Sequence, residues 1–213
     1  MITVEPQKAN RLIHSGQVML LSSRLEMRAN LMAVNWVTWI SCDPPLLGVS
    51  IAPSCFTHKI LRQSGDFVLC IPDASQVSLV HEVGTISGHS LDKFRVFDVP
   101  THWGQMVKAL TLTYSIGALE CEVVDYQKIG DHGFFVAQVL YAGAEESVWD
   151  GRWMPEAELL FYVGGDRYLA GGRIVQPKVR VDYYTLRDRR LKREQEARDL
   201  FDAPSRRIPE DLR

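Results

Sequence analysis

The chain of 213 residues has few cysteines and none spaced for metal or redox work. Cys42, Cys55, Cys70 and Cys121 lie 13, 15 and 51 positions apart, neither a Cys-x-x-Cys pair nor a zinc-ligand pattern. They read as buried free thiols. His14, His58, His81, His89 and His102 are scattered without ligand spacing, so no metal is expected. Long apolar runs are missing too: the charge-free stretch from Pro44 to His58 is broken by prolines, and the residues before Gly16 carry Glu5, Lys8 and Arg11 without an apolar core. Neither a membrane span nor a secretory signal is expected, and free thiols without an export signal point to a reducing, cytoplasmic setting.

Charge of one sign is also lacking. The 24 basic and 26 acidic residues leave a net −2, which supplies no polycation for a nucleic-acid backbone. Residues 176–213 hold 11 basic residues, but 8 acidic ones are interspersed and would repel phosphate, so an Arg-rich nucleic-acid tail is the weakest reading and no nucleic-acid partner is expected. No Gly-x-Gly-x-x-Gly follows a strand and no P-loop motif occurs, which argues against dinucleotide-fold and P-loop sites.

What remains is ordinary globular composition, 46% hydrophobic and 23% charged, arranged as short apolar runs. Val18–Ser22 and Asn30–Ile40, the latter rich in Val, Trp and Thr, suit a pleated surface. Asp43-Pro44-Pro45 breaks the chain, and Leu46–Ala52 is expected as a fresh strand with Val49 and Ile51 on one face and Ser50 on the other. Ser54 and Thr57 are candidate caps for a short helix over His58–Gln63, closing at Gly65. Phe67–Ile71 reads as a strand and Ser75–Val83 as a second helix. Ala118–Tyr126 and Gly133–Ala142 read as a hairpin around Gly130, and Leu159–Val163 as a final strand. Strands outnumber short helices, so the fold class is mainly β, a β-barrel with helical decorations. Asp182–Phe201 is too charged for core and reads as a solvated helix or arm.

The segment from Asn30 to Thr57 interleaves hydroxyl and amide side chains with Trp36 and Trp39. Taken alone it is either a ligand-lining surface or a barrel strand whose Ser and Thr satisfy local backbone. Here the residue order matters: Asn30-Leu31-Met32-Ala33-Val34-Asn35-Trp36-Val37-Thr38, Asp43-Pro44-Pro45, Val49-Ser50-Ile51, Ser54 to His58, Gly65-Asp66-Phe67, Gly84-Thr85 with Ser87-Gly88, Asp92-Lys93-Phe94 and Gly130-Asp131-His132. Over about residues 15–170 this series resembles the flavin reductase-like family, in particular its flavoredoxin-type branch.

The resemblance implies an FMN-binding split barrel over residues 1–175; the charged C-terminal extension over 176–213, read from its composition as a helical arm, has no counterpart in the family core. It implies a homodimer with the flavin near the subunit interface, and NAD(P)H as a transient co-substrate. Asn30, Asn35, Trp36, Val37 and Thr38 resemble the family strand that lines the cofactor, and Ser50, Ile51 and Ala52 the strand beside it. Ser54 and Thr57, with backbone N–H groups at a helix start and Lys59 close by, suit a phosphate. Their alternative is capping alone. Lys93 resembles the family's Asp-Lys-Phe lysine, a cation near the flavin, its alternative being a surface lysine. His132, in Gly-Asp-His, resembles a catalytic-site histidine, its alternative an exposed turn residue. Family members commonly carry Thr at the position of Ala33, Ser at that of Asn35 and Asn at that of Cys70. The function implied is an FMN-binding oxidoreductase of flavin reductase type that passes reducing equivalents from NAD(P)H to a second acceptor. The alternative is a non-catalytic, flavoredoxin-like electron carrier reduced by a partner protein.

Overall fold

A computed structural model describes residues 4–13 and 16–172, all within one compact unit over residues 1–173. The charged arm expected over 176–213 lies outside the described residues. Seven strands form the main sheet: β1 (Met19–Leu25), β2 (Arg28–Val34), β3 (Val37–Cys42), β4 (Pro45–Ile51), β5 (Asp66–Ile71), β8 (Gly117–Ile129) and β9 (His132–Ala144). Their order is β2-β1-β5-β8-β9-β4-β3, every pairing antiparallel. All seven strands send side chains into one interior: Leu21, Val34, Val37, Val49, Phe67, Cys121 and Phe135 pack together with Leu61 of α1 (Phe56–Ser64). One sheet whose strands share a single interior is curled into a barrel, and it is open where the two edges, β2 and β3, do not pair.

The run Asn30–Ile40, expected as one strand, is therefore two. β2 ends at Val34, the chain crosses the opening at Asn35 and Trp36, and β3 begins at Val37 on the opposite edge. The Ser50 N–H donates to the Trp36 carbonyl at 3.0 Å and ties the crossing to the end of β4. Apolar periodicity continued through the crossing because both edges need the same alternation, so the pattern carried no mark of the change of edge.

A second apolar layer lies outside the barrel. Leu20, Leu31, Val68 and Cys70, the alternate residues of β1, β2 and β5, pack against Val80 and Val83 of α2 (Val77–Thr85) and against Leu112 of β7 (Leu110–Leu112). β5 is thus buried on both faces, which is why Phe67–Ile71 is an unbroken apolar run. The helix expected at Ser75–Val83 starts two residues later, after a 3-10 turn over Ala74–Gln76 capped by the Asp73 carboxylate on the Ser75 N–H at 2.9 Å. A four-residue helix, α3 (Lys93–Val96), follows, with Asp92 accepting from the Arg95 N–H, then β6 (Thr101–Trp103) pairs with β7. The strand expected to be last is β10 (Leu160–Gly164), and it turns back into β11 (Arg167–Ala170).

The β8–β9 hairpin runs to a two-residue loop, Gly130-Asp131, with Ile129 paired to His132. Gly130 has φ of 59°, the conformation a two-residue hairpin reserves for glycine at its first loop position. The thiols do not all lie in the core as expected. Cys70 and Cys121 are buried, and burial pushes them up to about 11 and about 12, but Cys42 is exposed on edge strand β3 and Cys55 is half-buried at the start of α1. Among the described residues no helix is long and apolar enough to cross a membrane.

Candidate functional site

The opening between the sheet edges is a groove. Its inner lobe, about 210 Å³, lies between the end of β2, the crossing and the end of β4, and is walled by Asn35, Trp36, Ser50, Ile51, Ala52 and His132. The outer lobe, about 220 Å³, lies between β2, the start of α1 and the loop after α2, and is walled by Asn30, Ser54, Thr57, Lys93 and residues 84–88. Met32, Ala33 and Cys55 belong to both lobes, which makes them one continuous trough. Among the described residues β2 pairs only with β1, so no strand takes the main-chain groups along its other side.

Ten of the twelve residues singled out in the sequence meet here: Asn30, Asn35, Trp36, Ser50, Ile51, Ala52, Ser54, Thr57, Lys93 and His132. Val37 and Thr38 do not. Past the crossing, Val37 packs into the barrel interior and Thr38 is exposed on β3, so their alternation belongs to the other edge.

Ser54 and Thr57 are not caps. Cys55 occupies the cap position of α1, its carbonyl accepts from the His58 N–H at 3.1 Å, and among the described residues no side chain caps the first turn. The Thr57 hydroxyl is buried and accepts from the Asn30 carboxamide at 2.8 Å, joining α1 to β2 across the outer lobe. Gly88 lies against that carboxamide so closely that a Cβ there would overlap it, which accounts for a glycine at this point of the loop.

Lys93 is no surface lysine. It is 3% exposed, and its Nζ donates to the Val83 carbonyl of α2 at 2.5 Å. Burial lowers its pKa to about 8, partly offset by the Cys55 thiol. Among the described residues no carboxylate pairs with it, so a buried cation stands at the wall of the outer lobe. Lys59, the cation expected beside the phosphate site, is exposed on α1 and forms no part of the wall.

At the inner end, the His132 ring lies 4.9 Å from that of Trp36 with a 34° tilt, and its Nδ1 is 2.7 Å from the Asp131 carboxylate. The hydrogen bond to His132 holds the Asp131 carboxyl below its ordinary value. With Nδ1 engaged by Asp131, the imidazole is oriented as one group against the indole at the mouth of the lobe. The arrangement offers a flat, partly aromatic slot at one end and, at the other, hydroxyls, the start of α1 and a buried ammonium. The sequence reasoning gave no role to Met32, Ala33, Cys55 or Thr85. Gly84-Thr85 and Ser87-Gly88 belong to the residue series that resembles the family, and that is the sequence signal for the loop.

Comparison with known proteins agrees with this architecture. A family model described as a flavin reductase like domain matches residues 11–170. The NADH-dependent flavin reductase StyB of Pseudomonas fluorescens is 30% identical over 142 residues, which are 66% of this chain and 78% of that one. An FMN-binding protein from Thermus thermophilus, solved with bound 1-cyclohex-2-enone, superimposes with a TM-score of 0.74 at 31% identity over 83% of this chain and 98% of that one. A flavoredoxin from Methanosarcina acetivorans gives a TM-score of 0.75 at 26% identity, covering 84% of this chain and 96% of its own. With its split barrel matched in sequence and in structure over most of its length, the chain belongs to the flavin reductase-like family.

Proposed function

We propose that the chain is an FMN-binding oxidoreductase of flavin reductase type, with the groove along the barrel opening as its cofactor site. The observation that carries the reading is the buried Lys93 ammonium, paired with no carboxylate among the described residues, in the same trough as the start of α1 and the Ser54 hydroxyl. A phosphate monoester supplies a counter-charge and accepts from those donors. Free flavin lacking phosphate satisfies none of them, so FMN fits the trough better than riboflavin. The inner lobe suits the tricyclic ring: Trp36 and Ala52 supply apolar wall, while Asn35, Ser50 and the outward main-chain groups of β2 supply directed donors and acceptors.

When bound, the flavin supplies the two-electron chemistry, receiving reducing equivalents from NAD(P)H and delivering them to a second acceptor. The chain's part is to position and to manage charge. His132, oriented by Asp131 and stacked on Trp36, orients a nicotinamide at the mouth of the inner lobe or holds a proton there. The exposed Trp36, Trp39 and Ile40 leave apolar surface on and beside edge strand β3, which supports a homodimer whose partner closes the open side of the groove. Free thiols, two of them outside the core, favour a reducing, cytoplasmic setting.

The test is an FMN titration of the purified chain followed by anaerobic addition of NADH or NADPH. A yellow complex that bleaches is the result expected. A yellow complex that bleaches only with an added partner reductase replaces the enzyme by the electron-carrier reading, and failure to bind FMN removes both. Sedimentation showing a monomer at full flavin occupancy would contradict the dimer.

A further inference from the structure

A third cavity, of about 180 Å³, lies between β2, α2 and the β10–β11 hairpin. It shares Ala33 and Thr85 with the outer lobe of the groove and Ala33 and Asn35 with the inner one, so it is a side chamber of the same trough. Its walls differ from the groove's in kind. Tyr162 and Tyr168 present rings with centroids 5.5 Å apart, tilted by 56°, and the His81 ring stands edge-on to Tyr168. Among the described residues the wall holds no acid, lysine or arginine. The Tyr168 hydroxyl lies 3.3 Å from His81 Nδ1.

These features select a class of ligand. A chamber of this size takes a single substituted ring, and aromatic walls favour a ring that packs edge-on or offset against them. Among the described residues a charged group there would meet no acid, lysine or arginine, which favours a neutral compound. The Tyr168–His81 pair reads an oxygen of either polarity. With the proton on Nδ1, the imidazole donates to the phenol and the phenol donates to a carbonyl. With Nδ1 bare, the phenol donates to it and its oxygen accepts from a ligand hydroxyl. Burial, and secondarily Tyr162, raises the pKa of Tyr168, so the hydroxyl keeps its proton at neutral pH.

We propose that this chamber binds a neutral single-ring compound bearing a carbonyl or phenolic oxygen, its ring against Tyr162 and Tyr168 and its oxygen on the Tyr168–His81 pair. The proposal deepens the flavin-groove reading, on which its meaning as a second-reactant site rests, while the binding itself does not require flavin.

The probe is 4-hydroxyacetophenone, titrated calorimetrically into the full chain as purified and again after saturation with FMN. Saturation below about 1 mM in both forms is expected, with ring-proton nuclear Overhauser effects to Tyr162 and Tyr168. Tyr168→Phe keeps the aromatic wall and removes the hydroxyl, so it should weaken the probe about three- to tenfold and leave FMN affinity unchanged. The proposal is overturned if the probe does not bind, if Tyr168→Phe has no effect on it, or if FMN displaces it competitively, since the probe would then sit in the groove. Tyr168-dependent binding of the probe by a chain that does not take FMN would support the chamber and sink the flavin reading instead.

Discussion

Phe67, Leu69, Val49 and Phe135 fill the barrel interior with no exposed surface, whereas the groove one strand away is walled by Asn35, Ser50, Ser54, Thr57, Lys93 and His132. The same strands build both. On β4, Val49 points inward and Ser50 outward; on β5, where a second layer covers the outside, the outward residues Val68 and Cys70 are buried and only Asp66, at the start of the strand, is an acid. The interior is filled chiefly by apolar side chains that pack on one another. Among the described residues the groove is incomplete, with an unpaired strand edge, a helix start without a side-chain cap and an ammonium that no carboxylate pairs. Stability resides in the first region and the proposed function puts binding in the second, so substitutions should separate the two.

The largest effect is expected from Phe135→Ala, which empties a fully buried position between barrel strands. It should cost about 3–5 kcal/mol in thermal or denaturant unfolding. The fraction that remains folded should bind FMN as before. A selective loss of flavin affinity without loss of stability would erase the distinction between the regions.

Lys93→Met should do the reverse. Removing a charge-assisted contact of about 1.5–3 kcal/mol should weaken FMN roughly 10- to 150-fold, leave riboflavin unchanged and raise stability, because a buried ammonium is no longer desolvated. The pH dependence follows from a folded pKa of about 8 against 10.5 for the free group. The Lys93 contribution to FMN affinity is full below about pH 8 and fades as pH rises through it. Stability moves the other way. Between about pH 8 and 10.5 the unfolded chain holds the proton the folded chain has released, so the penalty of burying the charge is relieved as pH rises. Flavin fluorescence titrations from pH 6.5 to about 9.5 should show the loss for FMN in the parent chain and a flat profile in Lys93→Met. Equal pH profiles for FMN and riboflavin would remove Lys93 from the phosphate site.

His132→Ala should leave FMN affinity nearly intact and slow anaerobic bleaching by NAD(P)H at least tenfold, about 1.4 kcal/mol, with dithionite reduction unaffected. An unchanged rate in stopped-flow would return His132 to a turn residue that merely packs on Trp36. The smallest effect is expected from Ser54→Ala, one neutral hydrogen bond of about 0.5–1.5 kcal/mol, lost for FMN and absent for riboflavin. An equal loss for both ligands would mean that Ser54 shapes the helix start and touches no phosphate.

Much of the barrel was legible before any coordinates. Alternation in Val18–Ser22 and Leu46–Ala52, the prolines after Asp43 and the glycine at 130 mark strands and turns through local chemistry that needs no partner to operate. The short elements were less so. β6, β7 and α3 are three or four residues each, too brief for any period to register, and they are held by what they pack on. The groove residues were named through the motif series, but their states were not. Neither Lys93 nor Thr57 carries in its own sequence neighbourhood the fact that Val83 and Asn30 come to meet it.

By itself the sequence determined the strand-rich class, the positions of the main turns and the set of polar residues held back from the core, because periodicity, proline and glycine act within a few residues. Only the tertiary structure decided that Asn35 and Trp36 cross from one sheet edge to the other, that Val37 and Thr38 fall outside the groove, and that Lys93 is buried beside it. Those outcomes depend on how the curled sheet brings its edges together, and closure is set by packing between residues far apart in the chain, such as Leu21, Val49 and Phe135, that no local pattern records.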